Sequence, residues 1–281
     1  MREVSAALIK DTLKGLLLEA NYRIGDDVMA ALTKAAGAES SPTGRSILNQ
    51  IVENDKIAAA ERVPMCQDTG MVVVFAEVGQ EVHITGGGFN DAVNQGVREA
   101  YEEGYLRKSV VSDPLFDRIN TRDNCPAIIY TELTPGDKIS LTVTCKGFGS
   151  ENMSRLKMLV PADGEEGVLD FIVDAVVGAG PNPCPPTIVG VCVGGTMDKA
   201  AQLAKRATIR QVGSANSDPR YAALEQKALS RINASGVGPG GLGGRISCLA
   251  VNIEWFPTHI AGLPVAVNVC CHAARHGKAV I

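Results

Sequence analysis

The chain reads as a mixed α/β protein of the α+β kind, and three observations lead there. Its first sixty residues carry apolar positions at helical spacing. From residue 71 onward, β-branched runs and amphipathic stretches alternate irregularly, without the strict strand–helix–strand rhythm of a doubly wound sheet. The one literal dinucleotide fingerprint, Gly236-Val-Gly238-Pro-Gly240-Gly241, follows a helical stretch instead of a strand and carries proline inside, so its context is wrong. The expected architecture is a helical N-terminal segment, 1–62, followed by mixed β-sheets flanked by helices, all in one domain over 1–281.

Each element has its own signal. Leu8, Ile9, Leu13, Leu16 and Leu17 form a helical stripe, and Val28, Leu32 and Ala35 begin another after Gly25-Asp26. Ser41-Pro42 supplies an N-cap and a first-turn proline for a third helix, which Ile47, Ile51 and Ala58 carry to about residue 62. A β-branched run over 71–78 predicts a strand, and Gly86-Gly87-Gly88 precedes a helix over 90–103. Strands over 127–133 and 138–145 flank Thr134-Pro135-Gly136-Asp137, which reads as a hairpin turn. A helix over 165–177 precedes a strand over 187–193, which runs into Gly194-Gly195-Thr196 and another helix. That glycine turn could hold an anion on free amides, and a plain tight turn explains it equally. A helix over 220–233 and strands over 246–254 and 264–269 follow.

Composition narrows the function classes. With 45% hydrophobic and 21% charged residues, the 281-residue chain has an ordinary globular balance. A formal net charge of −4 gives no electrostatic reason to expect nucleic acid or an acidic membrane, and 4% aromatic residues leave little for base stacking. No apolar run approaches the ~20 residues of a membrane span. The first residues are broken by charges and lack a signal-peptide core, so a cytoplasmic location is expected, with the eight cysteines held as thiols.

Three of those cysteines sit in loop-like sequences that suit a thiolate ligand: Cys66 in Pro-Met-Cys-Gln-Asp-Thr-Gly, Cys184 in Asn-Pro-Cys-Pro-Pro, and Cys271 in Val-Cys-Cys-His-Ala-Ala-Arg. Three thiolates are one short of the four that usually hold an iron–sulfur cluster, and a cubane held so keeps one iron open to substrate. Cys145, Cys192 and Cys248 lie in apolar strand-like runs and read as core residues, while Cys125 precedes Pro126 in a turn. Cys270 and Cys271 would point opposite ways in an extended segment, and spacing does not choose between them. On the residues alone, all of these compete with the plainer reading of buried structural thiols. Asp68 as a turn cap, Arg107 as a solvated helix-end charge and His259 as a hydrogen-bonded structural imidazole are plain readings too.

Four motifs in order change that balance: Cys66-Gln67-Asp68-Thr69-Gly70; Lys146-Gly147-Phe148-Gly149-Ser150-Glu151-Asn152; Cys184-Pro185-Pro186 with Val193-Gly194-Gly195-Thr196; and Gly236 to Gly244. Together they resemble the class I, iron–sulfur-dependent fumarate hydratases and the related L(+)-tartrate dehydratases, from about residue 41 onward. The length resembles the separate α subunit of the two-subunit form. The resemblance implies a [4Fe-4S] cluster on Cys66, Cys184 and Cys271, with one open iron acting as Lewis acid in the reversible hydration of fumarate to L-malate. It implies that Gln67, Arg107, Gly149 and His259 bind the dicarboxylate, and that Asp68 is a proton donor to the departing oxygen where burial keeps it protonated. Phe148 departs from the family's glycine triplet at its middle position. The family's threonine base and further basic residues belong to its other portion. The chain is therefore expected to be half an active site, inactive without a β subunit, in an α2β2 assembly. Tartrate dehydratase is the nearest alternative, although the Lys146–Asn152 loop resembles the fumarase form more closely. A non-enzymatic iron–sulfur or zinc scaffold is the distant one.

Overall fold

The apolar residues gather on two four-stranded sheets, each in its own unit of the chain. A computed structural model describes residues 1–281. One unit comprises Met1–Gly25, Asp55–Phe148 and Arg275–Ile281; the other comprises Asp26–Asn54 and Gly149–Ala274. The fold is α/β with mixed sheets, as the sequence suggests. The helical segment 1–62 is shared out between the two units.

The first unit begins with a strand where helix is expected. β1 (Arg2–Ser5) pairs in parallel with β3 (Val82–Thr85), a short ladder that the helical stripe beyond it conceals in the sequence. Ser5 then caps α1 (Ala6–Tyr22), its side chain accepting from the Leu8 amide at 3.1 Å. Ile9, Leu13 and Leu17 of α1 share a core with Val93, Val97 and Tyr101 of α4 (Phe89–Glu103). Beneath them lie Val72 and Val74 of β2 (Met71–Gly79) and Val143 of β5 (Ile139–Lys146).

The expected hairpin does not form. β4 (Ile128–Thr134) and β5 are consecutive in sequence, yet the sheet order is β10-β5-β2-β4, with β10 at His276–Val280. β2 lies between them, antiparallel to β5 and parallel to β4. Its sequence, Met-Val-Val-Val-Phe-Ala-Glu-Val-Gly, is apolar on both faces, which suits a central strand, whereas β4 carries exposed Ile128 and Leu133. The turn at 134–138 still closes, but it bonds the end of β2: Gly79 N donates to Lys138 O and Gln80 N to Thr134 O, both at 2.8 Å. Turn chemistry fixes a reversal of direction, not which strand lies alongside.

In the second unit the sheet order is β6-β9-β7-β8, with β6 at Arg155–Leu159, β7 at Thr187–Gly194, β8 at Cys248–Phe256 and β9 at Leu263–Cys270. β9 runs antiparallel to β6 and β7, and β8 runs parallel to β7. All eight residues of β7 are buried because helices cover both of its faces. Val189, Val191 and Val193 share a core with α6 (Gly164–Val177) and α8 (Pro219–Asn233). Cys192 and Ala266 meet the small residues Ala200 and Ala204 of α7 (Met197–Ala207). α2 (Asp26–Ala38) also belongs to this unit. Ser41 caps the next helix, α3 (Pro42–Glu61), accepting from the Gly44 amide at 3.2 Å. No helix is long and apolar enough to cross a membrane.

Candidate active site

The loop 66–70 leads into β2 and is fixed from several sides. Asp68 spans two backbone segments: Oδ1 accepts from Gly70 N at 3.0 Å and Oδ2 from Phe148 N at 2.8 Å. The turn-capping reading of Asp68 is thus real, and the same carboxylate also reaches the 146–152 loop. Arg275, buried to 2% exposure, donates to the Asp68 carbonyl and, at 3.4 Å, to Asn21 Oδ1. Thr69 Oγ1 donates to the Arg107 carbonyl at 2.8 Å, which brings Arg107 beside this loop with its own residue exposed. The Tyr101 hydroxyl lies 2.8 Å from Thr69 O and 3.0 Å from Gly70 O, and burial pushes its pKa well up, so it remains a donor. Gln67 is exposed, and its Oε1 lies 3.5 Å from Cys66 Sγ. Cys66, Gln67, Asp68 and Arg107 are therefore gathered in one unit, on a frame of buried polar side chains.

Cys184 and Cys271 belong to the other unit, at one end of its sheet. Cys184 stands just before β7 in the left-handed region at φ +52°, exposed, with its amide donating to Pro181 O at 3.0 Å. Cys271 follows β9, whose last residue, Cys270, pairs with Ile188 at the start of β7. Gly149 lies in the short helix α5 (Phe148–Glu151), where a Cβ would stand 3.5 Å from Asn182 O on the Cys184 turn. His259 lies elsewhere. It follows β8, whose Phe256 pairs with Gly194 at the far end of β7, and the neighbouring Thr258 hydroxyl donates to Gly195 O at 2.8 Å. The length of β7, about 23 Å at the usual rise per residue, separates His259 from the cysteine end. The imidazole is exposed, with Nδ1 accepting from Ala261 N at 3.2 Å.

Exposure sorts the eight thiols. Cys125, Cys145, Cys192, Cys248 and Cys270 are buried, whereas Cys66 and Cys271 are partly exposed and Cys184 is exposed. Burial pushes Cys125 up to about 11 and both Cys192 and Cys248 up to about 12, which disfavours the thiolate that a metal needs. No three His, Cys, Asp or Glu side chains stand grouped to hold a metal ion. A groove of about 680 Å³ bordered by Arg45, Asn49 and Glu53 contains none of the candidate residues.

Sequence reasoning passed over Arg275, Tyr101 and Asn21. Nothing local distinguishes an arginine destined for burial, and the tyrosine and asparagine lie within ordinary helical patterns. The fingerprint-like 236–244 segment follows α8, as expected, and folds into a turn at Pro239–Gly241. That turn bonds to the Cys184 segment, Gly240 N donating to Pro185 O at 2.8 Å.

The sequence model of the family described as Fumarate hydratase (Fumerase) matches residues 10–280. A putative L(+)-tartrate dehydratase subunit alpha from Methanocaldococcus jannaschii is 40% identical over 271 residues, spanning 95% of this chain and 95% of its own. The L(+)-tartrate dehydratase subunit alpha of Escherichia coli strain UTI89 is 33% identical, over 91% of this chain and 84% of its own. That of strain K12 is 32% identical, over 92% and 86% respectively.

Proposed function

The chain belongs to the fumarate hydratase (Fumerase) family of hydro-lyases, and from that premise we propose that it is the α subunit of an iron–sulfur-dependent enzyme that adds water reversibly to fumarate, giving L-malate. One observation carries the cofactor reading. Of eight thiols, the three that the family resemblance assigns as ligands are the three left accessible, and the other five are buried. Burial supports Cys271 over Cys270 in the same way: the first of the pair is buried at 5% exposure as the last residue of β9, and the second stands beyond it. A [4Fe-4S] cluster on Cys66, Cys184 and Cys271, with one iron open, would supply a Lewis acid for the departing hydroxyl.

The chain's own residues would do the rest. Arg107 presents a forked donor to a substrate carboxylate. Gln67 offers an amide beside Cys66, and Gly149 leaves room beside the Cys184 turn. Asp68 moves a proton at the departing oxygen while its backbone contacts fix its position. His259, at the opposite end of its sheet from Cys184 and Cys271, could meet their substrate as a residue of a second copy of the chain. A β subunit, which the relatives' designation as alpha subunits implies, would complete the site.

A second substrate reading has its own support, since the relatives cited above are L(+)-tartrate dehydratase subunits. The Lys146–Asn152 loop favours fumarate, and the relatives favour tartrate. The test is anaerobic cluster reconstitution of the chain, alone and co-expressed with a β subunit, followed by assays on malate, fumarate and tartrate. We expect activity only in the pair, with malate and fumarate as the preferred substrates. Preference for tartrate would move the assignment to the second reading. Full activity of the chain alone would remove the β subunit, and loss of none of the activity on iron chelation would remove the cluster.

A further inference from the structure

Glu39 is a carboxylate buried to 1% exposure between α2 and α3, and the nearby Arg45 guanidinium bonds its main-chain carbonyl, not its carboxylate. Backbone amides surround it instead. Oε1 accepts from Ser41 N at 2.9 Å and Arg245 N at 3.1 Å, and Oε2 accepts from Arg245 N at 2.8 Å and Ile246 N at 2.9 Å. Burial alone would raise its pKa, but the amides of Ser41, Ile246, Arg245 and Ser40 together hold it below the usual range. Gly244, at φ +136°, lies flush against it, so that a Cβ there would stand 2.8 Å from Oε2.

The segment that Glu39 holds wraps the Cys184 turn. Gly243 N donates to Val237 O at 2.9 Å and closes the segment on itself. Its middle touches both sides of the cysteine: Gly240 N donates to Pro185 O, and a Cβ on Gly241 would stand 2.5 Å from Pro181 Cβ. Its exit touches the strand beyond, where Thr187 N donates to Ser247 O at 3.0 Å. The path from Glu39 to Cys184 is thus continuous and lies within one unit.

We propose that Glu39 is a positioning residue, the lock of a glycine-built cradle that holds the Cys184 turn in the form that binds the cluster. The proposal rests on the reading of Cys184 as a ligand. Its physical basis is that a buried carboxylate demands several donors at once, and the amides of Ser41, Arg245 and Ile246 that meet this demand tie the end of the 236–246 segment to the α2–α3 turn. Glu39→Gln keeps the volume but turns an NH2 group toward amide donors, which removes one anchor. Gly244→Ala leaves the carboxylate in place and wedges the segment away from it.

The experiment compares both variants with the unaltered full-length chain. Amide hydrogen exchange is followed over 181–187 and 238–246, with 71–79 in the other unit as reference, and iron per chain is measured after anaerobic reconstitution. Loss of the lock should speed exchange at Gly240 and Cys184 by about tenfold or more, leave 71–79 unchanged, and lower iron uptake. Faster exchange confined to Arg245 and Ile246, with normal iron, would overturn the proposal, as would a uniform change in all segments. If Glu39→Gln fails to fold, Gly244→Ala decides by the same criteria. A Cys184→Ser chain distinguishes the two claims. Full iron there would sink the ligand reading, whereas iron lost there but retained in Glu39→Gln would sink the lock alone.

Discussion

Asp68 and Glu39 do similar mechanical work in different settings. Each carboxylate draws backbone amides together and so fixes a loop that displays a cysteine, Cys66 in one unit and Cys184 in the other. Glu39 is sealed, and its carboxylate is held by the backbone amides of Ser41, Arg245 and Ile246. Asp68 is only half-buried and follows Cys66 and Gln67, and under the proposed function it would meet substrate as well. On that reading, scaffold and chemistry are separable by mutation in the second unit and fused in the first. A change at Asp68 must be read through two measurements, cofactor content and turnover, before it says anything about proton transfer.

The largest effect should come from what the two loops share. Cys66→Ser and Cys184→Ser, and Cys271→Ser with them, should each abolish cluster binding and leave no measurable turnover, whereas Cys270→Ser should retain iron. Iron analysis and the cluster's visible absorbance check this, and loss of iron only in the Cys270 variant would reverse that pair. Asp68→Asn comes next. It should keep iron but lower kcat by about 10²–10⁴-fold, as expected for a residue in proton transfer. Equal losses of iron and turnover would make Asp68 a second Glu39 and erase the contrast.

Arg107→Ala should lower kcat/KM for the dicarboxylate by about 10–100-fold, the value of one charged hydrogen bond, with iron unchanged. His259→Asn should cost a similar factor, and co-assembly with Asp68→Asn chains should restore part of the activity if the two residues serve one site from different copies. No restoration would place His259 outside the chemistry of a neighbouring copy. The smallest effect on turnover should be at the buried thiols. Cys192→Ser and Cys248→Ser should retain iron and activity while losing about 1–3 kcal/mol of stability in denaturant melts, since each buries a hydroxyl in an apolar site.

Much of this was legible in the sequence because local chemistry decides it. Ser41-Pro42 opens α3 as expected, and Asp218-Pro219 shows the same grammar in the structure, where Asp218 accepts from Arg220 N at 2.9 Å. The apolar runs of β2, β7 and β9 gave the central strands, and the ordered motifs gave the accessible cysteines. What was lost is non-local. The pairing of β2 with β4 and β5 depends on which strand has two apolar faces to bury, and the Pro-Gly turn does not encode that. The same holds for His259: its distance from Cys271 along the chain is short, but the intervening loop and β9 carry the two to opposite ends of a sheet.

The bond between Arg275 and the Asp68 carbonyl joins residues 207 positions apart. During synthesis, the 66–70 loop emerges long before its buried cation exists, and β10 can add to the edge of β5 only after Arg275 has been made. A nascent chain therefore passes through a long interval in which Cys66 is already outside the ribosome while its loop lacks that anchor. Delivery of iron at that stage would meet an unfinished binding surface. Completion of the Cys66 loop is timed by the polypeptide itself, following translation of residue 275 and docking of β10.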